Sequence, residues 1–295
     1  MKVILSRKGF DSERGGYASP ILPDGRLLSL PIPNTPDSAR YCELKLTQGM
    51  TYYDLIQDLN KKKYIKYKAS GDTKSQWHNL KLDTECHLDP DTYPSVIERH
   101  KDWKPLFGQC GAAQTVLDKH NIQKGDIFLF FGRFRMTKNV FGKLKLDPSD
   151  RDRHIIFGYF QIGEKILVSK NIYNHEWISY HSHVSRSNGR KNNTVYISSE
   201  TLSWNVHLPG AGVFKFDRSL VLTKEGHSCS RWQLPSFFKG LKISYHDSDS
   251  WKDDYFQSRS RGQEFVIEES DEVENWVKDL ITRNALKRYR PTDIP

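Results

Sequence analysis

Two apolar runs dominate the hydrophobic pattern of the chain. One is Asp126–Phe134, inside KGDIFLFFGRFR. The other is His154–Ile162, inside RHIIFGYFQIGEK. Both are short, β-branched and aromatic, and both are bounded by turn or polar residues, which reads as a pair of buried strands. The link between them, MTKNVFGKLKLDPSDRD, is too polar for a core, so the pair is expected to lie side by side in a small, strongly curved sheet. Shorter strand patterns cover Lys2–Ser6, Arg26–Leu30, Tyr41–Leu46, Thr194–Ile197 and Ser219–Thr223. Helical spacing covers Thr51–Leu59, with Thr51 as N-cap, and Gln109–His120, stopped by Asn121. His175–Tyr180 reads as a short helical piece. Glu272–Leu286 is amphipathic, with Val273, Trp276, Val277, Leu280 and Ile281 on one face. Strands and helices do not alternate as βαβ units. The expected class is α+β, with a mixed or barrel-like sheet surrounded by helices. The expected organisation is one integrated domain over 1–295, with a barrel-like core around 105–235.

Composition narrows the partner. The 295 residues carry a formal charge of +9, which favours a polyanion, and nucleic acid is the usual one. The excess is patchy. In KKKYIKYK, tyrosines interleave the lysines, so Lys61, Lys62, Lys63 and Lys66 could meet phosphates while Tyr64 and Tyr67 stack on bases. No apolar run approaches the roughly 20 residues that span a bilayer, and Met1–Leu5 is too short for a signal-peptide core. A cytoplasmic protein with DNA or a nucleotide as partner, and no membrane, is expected. The four scattered cysteines form no Cys-x-x-Cys pair and read as free thiols.

Candidate chemistry gathers in a few segments. In SRKGFDSERGGYASPI, Arg7 and Lys8 stand at a strand end, followed by Asp11 and the pair Gly15 and Gly16. Such a loop could hold a phosphate on backbone N–H groups and basic side chains. It has neither P-loop nor dinucleotide-fold spacing, and a structural loop with two turn glycines fits it too. In CHLDPD, His87, Asp89 and Asp91 occupy alternate positions of an extended segment and could share acid–base work or a metal. Pro90 also permits a tight turn capped by Asp89 or a helix capped by Asp91. In FGQCGAAQ, Gln109 and Gln114 could read a base edge, or the small residues could serve tight helix packing. Arg133 and Arg135 rim the aromatic strands and suit a flat anionic ligand. His154, His175, His181 and His183 have no cysteine near them in sequence. No metal ligand is assigned, and the cofactor is left open.

In their joint order these stretches resemble a known family. SRKGFDSERGG, SPILPDGRLLSLPIP, HLDPD, KPLFGQCGAAQ, KGDIFLFFGRFR, HIIFGYFQIGE, GAGVFKFD, SRWQLPSFF and RGQEFV together are similar to the third of the nucleotide-modification-associated domain families of bacteria and phages. The resemblance spans nearly the whole chain and implies association with DNA base modification or with systems that sense it. Its motif positions fall on Ser6, Arg7, Lys8, Asp11, Gly15, Gly16, His87, Asp89, Asp91, Gln109, Gly111 and Gln114. Val116 stands where a histidine is looked for after the helix glutamine. A looser likeness, over about Gln109–Ser169, is to the pseudouridine-synthase-and-archaeosine-transglycosylase-like (PUA-like) barrels, which include readers of flipped, modified bases. Two readings follow. One is an enzyme acting on a nucleotide or DNA base, with phosphate on Arg7 and Lys8 and an acid–base pair at His87 and Asp89. The other is a non-catalytic reader, holding a modified base between aromatic rings of the central strands. The enzyme reading requires Arg7, Asp11, His87, Asp89 and Gln109 to share one pocket.

Overall fold

The computed structural model describes residues 1–60, 63–69, 71–168, 175–187 and 189–285. The class is α+β. The two apolar runs form its centre, as strands Ile127–Val140 and Arg153–Leu167, paired antiparallel from Ile127↔Gln161 to Phe134↔Arg153. Both outrun their apolar cores, because a strand's backbone bonds continue after one face reaches solvent. The polar link makes strand Lys143–Leu146, which folds back on Thr137–Val140.

Val3–Arg7 runs parallel to Ile127–Phe131, and Glu264–Ile267 pairs antiparallel with Val3–Ser6 at that edge. On the other side, Thr194–Ser198 pairs with the Arg153–Leu167 strand, and Leu106–Gln109 with Thr194–Ser198. The path thus ends on Leu106–Gln109 and on Glu264–Ile267 and does not close. Among the described residues the sheet is mixed, as expected, and makes no closed barrel. Its two edges are bridged by side chains where a barrel would continue with backbone bonds: Gln109 Nε2 donates to Glu264 Oε1 at 2.6 Å. The site described below lies at this gap.

The aromatic residues of the central strands face inward. Phe128, Phe130, Phe157 and Phe160 are at most 1% exposed. They pack on one another and on Phe107, with Phe107 and Phe128 centroids 4.8 Å apart. No aromatic cage is open on these strands, so the base-binding place assumed by the reader interpretation is occupied by core. A second apolar cluster joins Phe10, Leu28, Leu30, Tyr41, Leu55, Ile56 and Ile65. It carries helix Tyr52–Leu59, closed by a capping box between Thr51 and Asp54, and the small strands Ile32–Pro33, Ala39–Arg40 and Glu85–His87. The terminal helix Asp271–Ala285 buries Val273, Val277, Leu280 and Ile281 against the main core, as its periodicity requires.

Three expected strands are largely irregular. Arg26–Leu30 keeps only isolated bridges at Arg26 and Leu27. Tyr41–Leu46 is turn up to the strand Lys45–Thr47. Ser219–Thr223 begins in a 3-10 turn, Arg218–Leu220, because the Asp217 side chain accepts the Ser219 N–H and bends the chain. Among the described residues no helix is long and apolar enough to cross a membrane.

Candidate functional site

A cleft of about 510 Å³ opens at the gap between the sheet edges. Arg7, Lys8, Asp11 and Arg14 line it from the first strand and its loop, His87 and Asp89 from the second layer, and Gly108, Gln109 and Cys110 from an edge strand and the helix start. His183 and Arg190 complete the wall from a later segment. Arg7, Asp11, His87, Asp89 and Gln109 therefore do share one pocket. Among the described residues no phenylalanine, tyrosine or tryptophan lines it.

Its cationic side is unevenly available. Lys8 Nζ is 2.8 Å from Glu264 Oε1 and 4.4 Å from the Phe107 ring centroid, so its charge is compensated inside the protein. Gln109 is also engaged: its amide N–H donates to Glu264 and Gln263, and its Oε1 accepts the Cys110 N–H at 3.0 Å. Both residues set the wall and are not free to read a base edge. Among the described residues Arg7 has no carboxylate in its hydrogen bonds. Its guanidinium donates to the carbonyls of Ser260 and Arg259 while lying over Phe265. Arg14 is exposed and Arg190 half-buried.

The floor of the cleft is a histidine–carboxylate cluster. His87 ends a strand paired with Ile32–Pro33, which brings in the loop carrying Asp37. His87 Nδ1 lies 2.9 Å from Asp37 Oδ2. Asp37 also accepts from the Ser38 N–H at 2.6 Å, from Asn34 Nδ2 at 2.9 Å and from the Ser182 hydroxyl. Burial alone would raise the Asp37 carboxyl, but these donors, His87 first, hold it down at about 2. The Asp89 side chain is only 4% exposed. His181, His183 and His87 around it outweigh burial and hold its carboxyl below the usual range. Asp89 Oδ1 accepts the Gly108 N–H at 2.7 Å, and Oδ2 lies 3.9 Å from His87 Nε2. Burial pushes His183 down to about 3, so its imidazole is neutral near pH 7. One donor atom from each of His87, Asp89 and His183 lies within 4.8 Å of the other two.

Gly108 makes this possible. A Cβ there would stand 2.2 Å from His183 Cδ2, so only glycine lets that ring lie flat against the edge strand.

Other sequence candidates lie elsewhere. Asp91 is fully buried in a bidentate pair with Arg99, both bonds 2.6 Å, and accepts from the Tyr180 hydroxyl. It ties loops together and does not face the cleft. Gln114 is buried between Asp118 and the Tyr196 hydroxyl. Arg133 and Arg135 both pair with Asp152. Gly15 and Gly16 shape the loop. Their φ angles are +88° and +90°, and a Cβ would strike the Phe10 ring at 2.1 Å or the Trp77 ring at 2.3 Å. Asp11 braces the same loop by accepting the N–H groups of Glu13 and Arg14, each at 2.7 Å. His154 is half-buried and accepts the Trp232 indole N–H, and His175 pairs with Glu164.

Of the basic run, Lys61 and Lys62 lie outside the described residues. Lys63, Tyr64, Lys66 and Tyr67 belong to a hairpin whose second strand is Gln76–Asn79. The hairpin docks on the glycine loop, where the Gly15 N–H donates to the Lys66 carbonyl at 2.7 Å and Lys66 Nζ reaches Glu13. Tyr64 is 40% and Trp77 52% exposed, so aromatic faces lie open on the hairpin beside the glycine loop rather than in the main sheet.

Sequence reading missed Asp37, His183, Asn193, Glu264 and Trp77. His183 stood in a noted His-x-His pair. The others carry no local signal.

The cleft and its floor thus draw on residues from Arg7 to Glu264, and the likeness to known proteins has the same reach. No curated protein and no solved structure matches the chain. The profile of the nucleotide modification associated domain 3 family matches residues 2–268, almost every element that builds the cleft, and the chain belongs to that family.

Proposed function

We propose that this chain is an enzyme of nucleotide or DNA-base modification, which takes one phosphorylated nucleoside unit into the cleft. The reading rests on one observation: a cationic wall and a polar reacting floor, built from segments remote in sequence, meet in one cleft. Arg7, Arg14 and Arg190 would hold phosphate, since guanidinium groups match its oxygens in pairs. His87, Asp89 and His183 would face the sugar or base. A polynucleotide would continue over the adjoining hairpin, stacking on Trp77 and Tyr64 with Lys63 near its backbone. Family membership supports the context of nucleotide modification. The buried central rings disfavour a reader caging a base in the sheet.

The test is calorimetric titration with nucleoside monophosphates and with short single-stranded DNA. Arg14→Ala with Arg190→Ala should weaken both and flatten the salt dependence. Trp77→Ala should weaken only the oligonucleotide, by about 1–3 kcal/mol. His87→Ala should bind as before while base-modification activity on DNA is lost. Nucleotide affinity untouched by the arginine pair would sink the proposal.

A further inference from the structure

The hydrogen bonds around the cleft floor fix where its protons are. Asp37 accepts from Ser38, Asn34 and Ser182, so it acts as an acceptor, and the proton between it and His87 sits on His87 Nδ1. In the neutral imidazole, the form that binds a metal, His87 then presents Nε2 as its lone pair. On His183, Nδ1 lies 2.7 Å from Asn193 Oδ1. The Asn193 amide cannot be turned round, because its Nδ2 donates to the His183 carbonyl at 2.5 Å. His183 Nδ1 therefore carries the proton, and Nε2 is the second bare lone pair. Asp89 is held through Oδ1 by the Gly108 N–H, with His181 Nε2 at 3.4 Å, and turns Oδ2 towards His87.

One ligand atom from each of His87, Asp89 and His183 lies within 4.8 Å of the other two, and the acceptors that the hydrogen bonds leave over are His87 Nε2, His183 Nε2 and Asp89 Oδ2. The separation of His87 Nε2 and Asp89 Oδ2, 3.9 Å, is too long for a hydrogen bond but suits two ligands of one ion. Each histidine already donates its other N–H to a carboxylate or amide oxygen, which is the support that metal-bound imidazoles have. We propose that His87, Asp89 and His183 bind one divalent first-row transition ion, of the Zn2+ or Fe2+ kind. Two imidazoles favour such ions over Mg2+ or Ca2+, which prefer all-oxygen shells. Three protein ligands leave coordination positions open to the cleft, the arrangement of a catalytic rather than a structural site. The proposal deepens the nucleotide reading by naming the group at the floor of the same cleft, but its donor geometry holds whatever the substrate.

Metal-free full-length chain is titrated with Zn2+, Co2+ and Mg2+. One equivalent of Zn2+ or Co2+ is expected to bind, and Mg2+ at least 100-fold more weakly. Asn193→Ala should weaken Zn2+ roughly 10–100-fold, and His87→Ala or His183→Ala further. Co2+-loaded wild type needs no variant: its proton NMR spectrum should show two strongly shifted, exchangeable imidazole N–H signals, from His87 and His183. Absence of those signals, or Zn2+ affinity unchanged in folded His87→Ala, overturns the site. A parallel titration with a nucleoside monophosphate separates the two claims. Zn2+ binding without nucleotide binding upholds the metal site and sinks the nucleotide reading, and nucleotide binding without Zn2+ binding does the reverse.

Discussion

Asp37 and His87 are fifty residues apart in the chain and 2.9 Å apart in the fold. The contact exists because Glu85–His87 pairs with Ile32–Pro33 on one side and Ala39–Arg40 on the other, so the loop between those two strands closes over the imidazole. A carboxylate on Nδ1 does two things. It fixes the tautomer, and it turns Nε2 towards the cleft.

Asp37→Asn tests that positioning. The carboxylate has a donor at every side, so an amide must turn its NH2 towards either the Ser38 N–H or the pair His87 and Asn34. Leaving a buried donor unpaired costs about 1–3 kcal/mol, which chemical denaturation should register. A purely structural role would stop there. Positioning predicts more: nitrogen-15 NMR of His87 should show one tautomer, protonated on Nδ1, in the wild type and a mixture in the variant. An unchanged spectrum would remove Asp37 from the site.

Much of this frame is legible in the sequence, because it is written in local periodicity. The paired central strands, the capped Thr51 helix and the apolar stripe from Val273 to Ile281 all rest on spacing within one element. The CHLDPD and SRKGFD segments were also legible as polar loops next to strands. What resisted reading depends on partners. Asp91, Gln114 and Arg133 are as polar as His87, yet Arg99, Tyr196 and Asp152 satisfy them. Nothing in a sequence says which charges find each other across the fold. Barrel and open sheet failed to separate for the same reason: the residues of Leu106–Gln109 have strand character whether or not their free edge meets another backbone.

Gly108→Ala should disturb the floor of the cleft from behind. The new methyl would sit 2.2 Å from His183 Cδ2 and 2.4 Å from Cγ, inside contact distance, and the ring must move. Overpacking of this kind costs about 1–3 kcal/mol. The effect should be coupled to its cause: adding His183→Ala to Gly108→Ala should cost less than the two single losses summed, since the ring that clashes is gone. Strict additivity in thermal melts would show that the backbone, not His183, dictates glycine here.

Lys8 and Glu264 form a buried ion pair bridging the first strand and the sheet edge, at 2.8 Å with side chains 7% and 0% exposed. Glu264→Gln leaves the lysine charge buried with a neutral partner, so a loss of about 3–5 kcal/mol is expected. Lys8→Met combined with Glu264→Leu should be much milder than either single change, because both charges leave together. The Gln109 amide would lose its acceptor, so the double variant should still fall short of the wild type. If the double variant is the least stable of the three, the pair does not act as a unit.

Acid stability should carry the signature of His154. The residue is half-buried, and its ring accepts the Trp232 indole N–H on Nδ1 at 3.0 Å and lies against Phe131. Burial first, then the cations Arg7 and Arg133, push it down to about 3, from about 6.5 in an unfolded chain. Between those two values the unfolded chain binds a proton that the native protein refuses. Stability is therefore full above pH 6.5 and falls as the pH drops towards 3, by up to about 1.4 kcal/mol per pH unit for this one group. His183 and His246 are shifted in the same direction, so the wild-type slope sums several groups. The difference between wild type and His154→Asn isolates one. The asparagine offers an oxygen to Trp232 but does not titrate. Urea midpoints measured from pH 7 to pH 4 should show the variant less stable than the wild type at neutral pH and closing the gap as the solution is acidified. Parallel lines for the two proteins would mean that His154 is protonated in the folded state, in conflict with the bond from Trp232.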